Sequence, residues 1–155
     1  MDLTNFTPAE LAADWIASHK AGADEDATGH LAQFLLVLLP QEAPDLTWDT
    51  IRMVVGTYPE EDFFAEGETE AQSVCGLLAA GPVEDLLSFH GHRFIDRFED
   101  EARRDRRMAW LLGGVWQFQM TDDIWERVQL AADLSYWERP SQCPLSTHCG
   151  HKLVR

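Results

Sequence analysis

Apolar residues recur three and four apart along most of the chain, with polar residues filling the intervals. That spacing marks one face of a helix. Thr7-Pro8-Ala9-Glu10 is a capping box with Pro at the first helical position, and Leu11, Trp15 and Ile16 follow on one side. Ala21 to Asp26 reads as a connection. From His30, a broad stripe of Leu31, Phe34, Leu35, Leu38 and Leu39 predicts a second helix, stopped by Pro40. Asp45 or Thr47 starts a third, holding Trp48, Ile51, Val55 and Tyr58, and Pro59 ends it. Glu70 to Ala80 predicts a short helix with Val74, Leu77 and Leu78 inward.

Gly81-Pro82 breaks that helix and restarts another. Pro82 takes its first position, Glu84 and Asp85 sit in its first turn, and Leu86, Leu87 and Phe89 pack. Gly91 is placed to close it in the left-handed conformation. The next helix runs from about His92 to Asp105, with Phe94, Ile95, Phe98 and Ala102 inward and Glu99–Arg103 and Asp100–Arg104 as i,i+4 pairs. Another holds Met108, Leu111, Leu112, Val115 and Trp116. The last starts at Thr121 as N-cap and carries Ile124, Trp125, Val128 and Ala131. No alternating run demands a strand. The expectation is an all-α fold of seven or eight short helices arranged as antiparallel hairpins, with a small α-solenoid-like stack as a variant. Residues 1–139 form a single domain and 140–155 a C-terminal tail.

Composition narrows the class. The chain has 155 residues, 45% apolar, with six Trp and eight Phe, which excludes a disordered polypeptide. No run reaches the ~18 apolar residues of a membrane span. No basic flank precedes an apolar segment at the N-terminus, so a cytoplasmic location is expected. Three cysteines, Cys75, Cys143 and Cys149, do not suggest a disulfide framework, and Cys75 reads as a small buried hydrophobe.

Charge changes the picture most. Residues 1–70 carry fifteen acids against Lys20 and Arg52, a net of −13, within a total of −15. Such a field repels nucleic acid and anionic membrane and steers a basic partner. Two acidic groups stand out: Asp24, Glu25 and Asp26, and the stretch Glu60, Glu61, Asp62, Glu66, Glu68 and Glu70 around Phe63, Phe64 and Gly67. As a loop, the second group offers a charged surface with Phe63 or Phe64 as anchor; alternatively it is a solvated loop whose phenylalanines plug the core.

Other candidate chemistry has ordinary structural explanations. Gly91 would turn the chain between His90 and His92, separating the two imidazoles. Cys143, His148, Cys149 and His151 lie within nine residues, but their spacing does not suit a tetrahedral zinc site. From His92 to Arg107, six Arg face five acids, a salt-bridged helix end and not a nucleic-acid site. Gly113-Gly114 permits close packing or a helix break. No phosphate loop, Gly-x-Ser-x-Gly elbow or His-Glu-x-x-His is present.

The succession Gly81-Pro82-Val83-Glu84-Asp85-Leu86-Leu87, His90-Gly91, the Ile95 to Asp105 helix, Leu111-Leu112-Gly113-Gly114-Val115-Trp116 and Trp125-Glu126-Arg127-Val128 resembles an uncharacterised bacterial domain family. Its hallmark is Gly-Pro-Leu-Glu-Asp-Leu-Leu, and Val83 replaces the usual Leu here. The resemblance implies the helical fold over residues 81–128. Small proteins of this kind resemble immunity or inhibitor proteins of bacterial conflict systems.

These features predict a non-enzymatic acidic protein that inhibits a basic protein partner, with no cofactor, metal or catalytic residue. An immunity protein of a toxin and a DNA-mimicking inhibitor fit equally. A small hydrolase or metal-dependent enzyme using His90, His92, Glu84 and Asp85 is the alternative reading, and a helical scaffold or adaptor the next.

Overall fold

A computed structural model describes residues 5–20, 22 and 38–139. Every regular element among them is helical: α1 (Pro8–His19), α2 (Leu39–Glu42), α3 (Pro44–Gly56), α4 (Glu60–Phe64), α5 (Glu70–Leu78), a π-helical turn (Ala79–Val83), α6 (Glu84–Arg104), α7 (Arg106–Gly113) and α8 (Asp122–Ala131). No helix is long and apolar enough to cross a membrane.

The Thr7 capping box closes α1 reciprocally, with Glu10 N–H donating to Thr7 Oγ1 at 3.2 Å and Thr7 N–H donating to Glu10 Oε2 at 2.9 Å. Thr69 and Gln72 form a second box at α5. Leu11 and Trp15 of α1 bury against α3 and α5, where the Trp15 indole N–H donates to the Val74 carbonyl at 3.1 Å. The long helix α6 is the central element. It packs against α2, α3, α7, α8 and the π turn. One apolar cluster runs from Leu11 to Tyr136 and joins the helices into one core, with α1 packed on α3 and α5 and the later helices on α6.

Several boundaries differ from expectation, each for a local reason. Pro40 lies inside α2, at a first-turn position where its missing N–H costs nothing. α3 starts at Pro44, leaving Asp45 to pair with Arg93 and Arg97, while Thr47 Oγ1 donates back to the Ala43 carbonyl at 3.0 Å. Gly81-Pro82 does not break the chain into two helices. A π turn absorbs the proline and leads into α6 without a side-chain cap. Gly91 is not left-handed, but the break expected beside it is present one residue earlier: His90 leaves helical geometry (φ −133°, ψ 32°), so α6 is two helical segments joined across a kink. An added Cβ on Gly91 would lie 3.1 Å from Ile124 Cγ2, so this glycine serves close contact with α8. Glu99 turns away from Arg103 toward Arg127 of α8, and Asp100 pairs with Arg103 at 2.8 Å. α7 stops at Gly113, placing Val115 and Trp116 in the following loop. Thr121 is the N-cap residue of α8 but makes no side-chain capping bond.

After α8 the chain returns across α7. Trp137 covers Gly113 and Gly114, and its indole N–H donates to the Trp110 carbonyl at 2.8 Å. Trp110, Tyr136, Trp137 and Phe63 form an aromatic group with ring centroids 4.6–5.2 Å apart in successive pairs. Gly113-Gly114 thus permits the expected close packing.

Candidate functional site: an acidic turn and an aromatic loop

The acidic group of residues 60–70 is not a plain loop. Glu60, Glu61 and Asp62 form the first turn of α4, where the helix dipole favours anions. Gly67 (φ +88°) then lets the chain reverse toward α5. The reversal is fastened from both sides. Gln72 Nε2 donates to the carbonyls of Phe63 and Ala65 at 3.3 and 3.0 Å, and Thr69 Oγ1 donates to the Asp62 carbonyl at 2.6 Å.

Glu60, Glu61, Glu66, Glu68 and Glu70 are exposed and Asp62 is half-buried. Glu60 lies 4.0 Å from Arg106, and Glu70 accepts from the Tyr58 hydroxyl at 2.7 Å. Burial first, and then the Glu70 carboxylate, push the Tyr58 hydroxyl well above its ordinary pKa. Among the described residues, no ion pair involves Glu61, Asp62, Glu66 or Glu68. Many other carboxylates are matched: Asp45 by Arg93 and Arg97, Glu101 by Arg52 at 3.2 Å, Asp105 by Arg107, and Asp96 and Glu99 by Arg127. Within the acidic residues 1–70, the α6 arginines thus match Asp45, and the other pairs just named lie among the acids of residues 71–155.

Phe63 is fully buried, edge-on to Trp110 with centroids 5.2 Å apart, and cannot serve as a surface anchor. Of the two expectations, the one in which this phenylalanine plugs the core holds for Phe63, which the short helix α4 turns inward. Phe64 is half-buried beneath the Arg106 guanidinium, 4.1 Å from its ring centroid. Asp24, Glu25 and Asp26 lie outside the described residues, as do Cys143, His148, Cys149 and His151. Cys75 is buried as expected.

The groups of the enzymatic alternative are engaged in separate places. Glu84 Oε1 accepts from the Trp116 backbone N–H at 2.7 Å. His90 Nε2 lies 2.8 Å from the Gln41 carbonyl, which can only accept, so that nitrogen carries the proton. His92 Nδ1 stands 4.0 Å from Asp123. Asp85 is raised above its ordinary pKa by burial. Among the described residues, no three His, Cys, Asp or Glu side chains gather as a metal site.

A second feature escaped the periodicity. Leu77 and Phe89, expected inward, are 50% and 43% exposed. Leu77 lies off the face of α5 that buries Ala71, Val74, Cys75 and Leu78, and Phe89 lies off the face of α6 that buries Leu86, Leu87 and Gly91. Phe89 adjoins the loop of residues 115–120, which presents Trp116 (38% exposed) and Phe118 (59% exposed). Glu84 holds one end of this loop and Ser88 the other, where Ser88 Oγ accepts from the Gln119 N–H at 3.2 Å. The sequence signal was present as two aromatics just after a helix-ending Gly-Gly.

No curated protein and no solved structure matches the chain. Residues 18–135 match a family of unknown function, DUF6869, and the chain belongs to that family.

Proposed function

We propose that the chain is a non-enzymatic, cytoplasmic acidic protein that binds and inhibits a basic protein partner. An immunity protein of a bacterial toxin and an inhibitor that mimics the charge of DNA share this mechanism. The observation that carries the reading is the acidic turn: five exposed glutamates within residues 60–70, on a backbone fixed by Thr69 and Gln72. Of these, Glu60 stands 4.0 Å from Arg106 and Glu70 accepts from Tyr58, while Glu61, Glu66 and Glu68 make no ion pair among the described residues. Carboxylates held on a fastened turn accelerate encounter with a cationic surface and lose little entropy on contact. Phe64, exposed in part beneath Arg106, replaces Phe63 as the apolar group at this place.

The test is capture of a basic protein from the native host by the full chain at low and high salt. Capture should be lost when Glu60, Glu61 and Asp62 are all changed to Lys, and should weaken as salt rises. Capture indifferent to both changes would remove electrostatic inhibition from consideration.

A further inference from the structure

We propose that the first two turns of α6 and the 115–120 loop form a docking surface for an amphipathic, basic segment of a protein partner, with Phe89 and Phe118 as its apolar anchors. The inference rests on the reading above for the sign of the partner's charge, but it places the contact on other elements, α6 and the 115–120 loop, and not on the acidic turn.

The first argument is exposure held in place. Phe118 and Phe89 put large aromatic surfaces into solvent, with Trp116 between Gly114 and Phe118 adding to them. Aromatic side chains clustered on a surface are the commonest binding anchors, because they bring much apolar area at a small entropic cost. The loop that carries two of them is tied to α6 by Glu84 and Ser88, one helical turn apart. It is braced at its far end by Gln117 Nε2, which donates to the Met120 carbonyl at 3.1 Å and to Asp122 at 2.9 Å. The rings are therefore presented on a backbone that is already ordered.

The second argument is shape. A groove of about 240 Å³ opens beside Phe89, with Leu87, Gly91 and Ile124 among its apolar lining and Ser88 and Gln119 among its polar lining. Gly91 and Ile124 meet closely in its lining, where a Cβ on the glycine would lie 3.1 Å from Ile124 Cγ2. Projecting rings next to an apolar recess suit a partner segment that both covers a ring and inserts a side chain.

The third argument is charge complementarity, which selects the occupant. Glu84 and Asp85 stand in the first turn of α6, and Asp122 and Asp123 in the first turn of α8, on either side of the loop. The groove itself is lined by one cation, Arg93, whose charge is matched by Asp45, and by His90 and His92, the latter facing Asp123, so the carboxylates stand at its rim and not in its lining. An apolar patch rimmed by carboxylates fits a segment with apolar residues on one side and Lys or Arg on the other. This also gives a use to the Gly81–Leu87 motif: it sets Glu84 where it fixes the aromatic loop.

The probe is a synthetic helical peptide of about 18 residues, with leucines along one face and lysines along the other. A scrambled peptide of the same composition is the control. Titrated into the full chain, the amphipathic peptide should bind saturably and shift backbone amide resonances of residues 84–92 and 115–121. The double variant Phe89→Ser/Phe118→Ser should weaken binding by about tenfold or more, while Glu61→Lys/Glu68→Lys should change it far less. The resonance map decides the matter even where the double variant is poorly folded. Equal binding of the scrambled peptide, or shifts confined to residues 60–70, overturns the proposal and leaves the acidic turn as the contact. Self-association of the free chain that the double variant abolishes also overturns it, because the occupant is then a second copy. Absence of saturable binding overturns it while leaving host-protein capture by the acidic turn to be judged by its own experiment.

Discussion

Gly113 and Trp137 occupy one space. A Cβ on Gly113 would lie 2.7 Å from the indole Nε1 and 2.7 Å from the Asp133 carbonyl oxygen. Neither neighbour can give. The indole is held by its bond to the Trp110 carbonyl, and Asp133 is held through its N–H to the Ala109 carbonyl at 2.9 Å. Gly113→Ala should therefore cost about 1–3 kcal/mol, as overpacking does. Gly56 ends α3 with open space around it and no left-handed φ, so Gly56→Ala should stabilise by about 0.4–1 kcal/mol. Urea unfolding of the two variants against the parent checks both signs.

Arg127 joins α8 to α6 through Glu99 and Asp96, with its Nε 3.2 Å from Glu99 Oε2. Glu99 is the more enclosed acid, and its bond is the main cause of the raised Arg127 pKa, ahead of Asp96. The cluster is half-open to water, so it is worth far less than a buried pair. Arg127→Gln should lower stability by about 1 kcal/mol at low ionic strength. At about 1 M salt, where charges are screened within ~3 Å, the exposed Asp96 share should shrink. Urea midpoints at the two salt levels separate that share from the packing of the arginine stem.

How much of this was legible depends on what kind of signal each residue gave. Local chemistry was plain: the Thr7 box, Thr121 as the residue before α8, the burial of Cys75 and the closeness permitted at Gly113-Gly114 all follow from residue type and spacing. Periodicity also found the inward faces at Ile51, Phe94 and Val128. It failed where a helix changed its period: the π turn at Ala79–Val83 keeps the chain helical where Gly-Pro suggested a stop, whereas the stop suggested at Gly91 falls beside a real break in helical geometry at His90. Distant partners were invisible altogether. Glu99 reaches Arg127 across 28 positions, and Asp45 reaches Arg93 and Arg97 across 48 and 52 positions, in preference to any neighbour in sequence. For the acidic turn, composition identified the charge, but only the short helix α4 explains why Phe63 leaves the surface while its glutamate neighbours stay on it.

Acid should weaken the fold through Asp105 in a defined window. Burial raises the Asp105 pKa, but the Arg107 side chain and the Arg107 backbone N–H outweigh it and hold the carboxyl below its ordinary 3.8. The folded value is depressed, so the contribution is fully present above 3.8 and is lost as pH falls through the folded value. Asp105→Asn should lower stability at neutral pH and flatten its decline below about pH 4. Asp85 has the opposite sign, since burial raises its pKa. Its contribution is greatest below 3.8 and is lost as pH rises through the raised value. Asp85→Asn should therefore gain stability near neutrality, which marks the carboxylate as a group carried at the expense of the fold. Urea unfolding at steps from pH 2 to 7 reads both.

The Cys75 thiol offers a reporter of how α5 opens. It is fully buried, and burial pushes its pKa far up, against a weaker opposing pull from Arg107. A thiol that is both covered and protonated is a poor nucleophile. In a chain with Cys143→Ser and Cys149→Ser, a disulfide reagent should modify Cys75 only through opening of the structure. The helix around it gives reason to expect a large opening: Val74 and Leu78 are buried beside it, and Gln72 and Thr69 lock its first turn to the acidic turn. The modification rate should then rise with urea as steeply as global unfolding does. Thr69→Ala removes both the cap and the bond to Asp62, and should speed modification by the factor that its loss of global stability predicts. Rapid modification of the parent in buffer would mean that α5 opens on its own, and the acidic turn fastened to it would then be presented on a moving support.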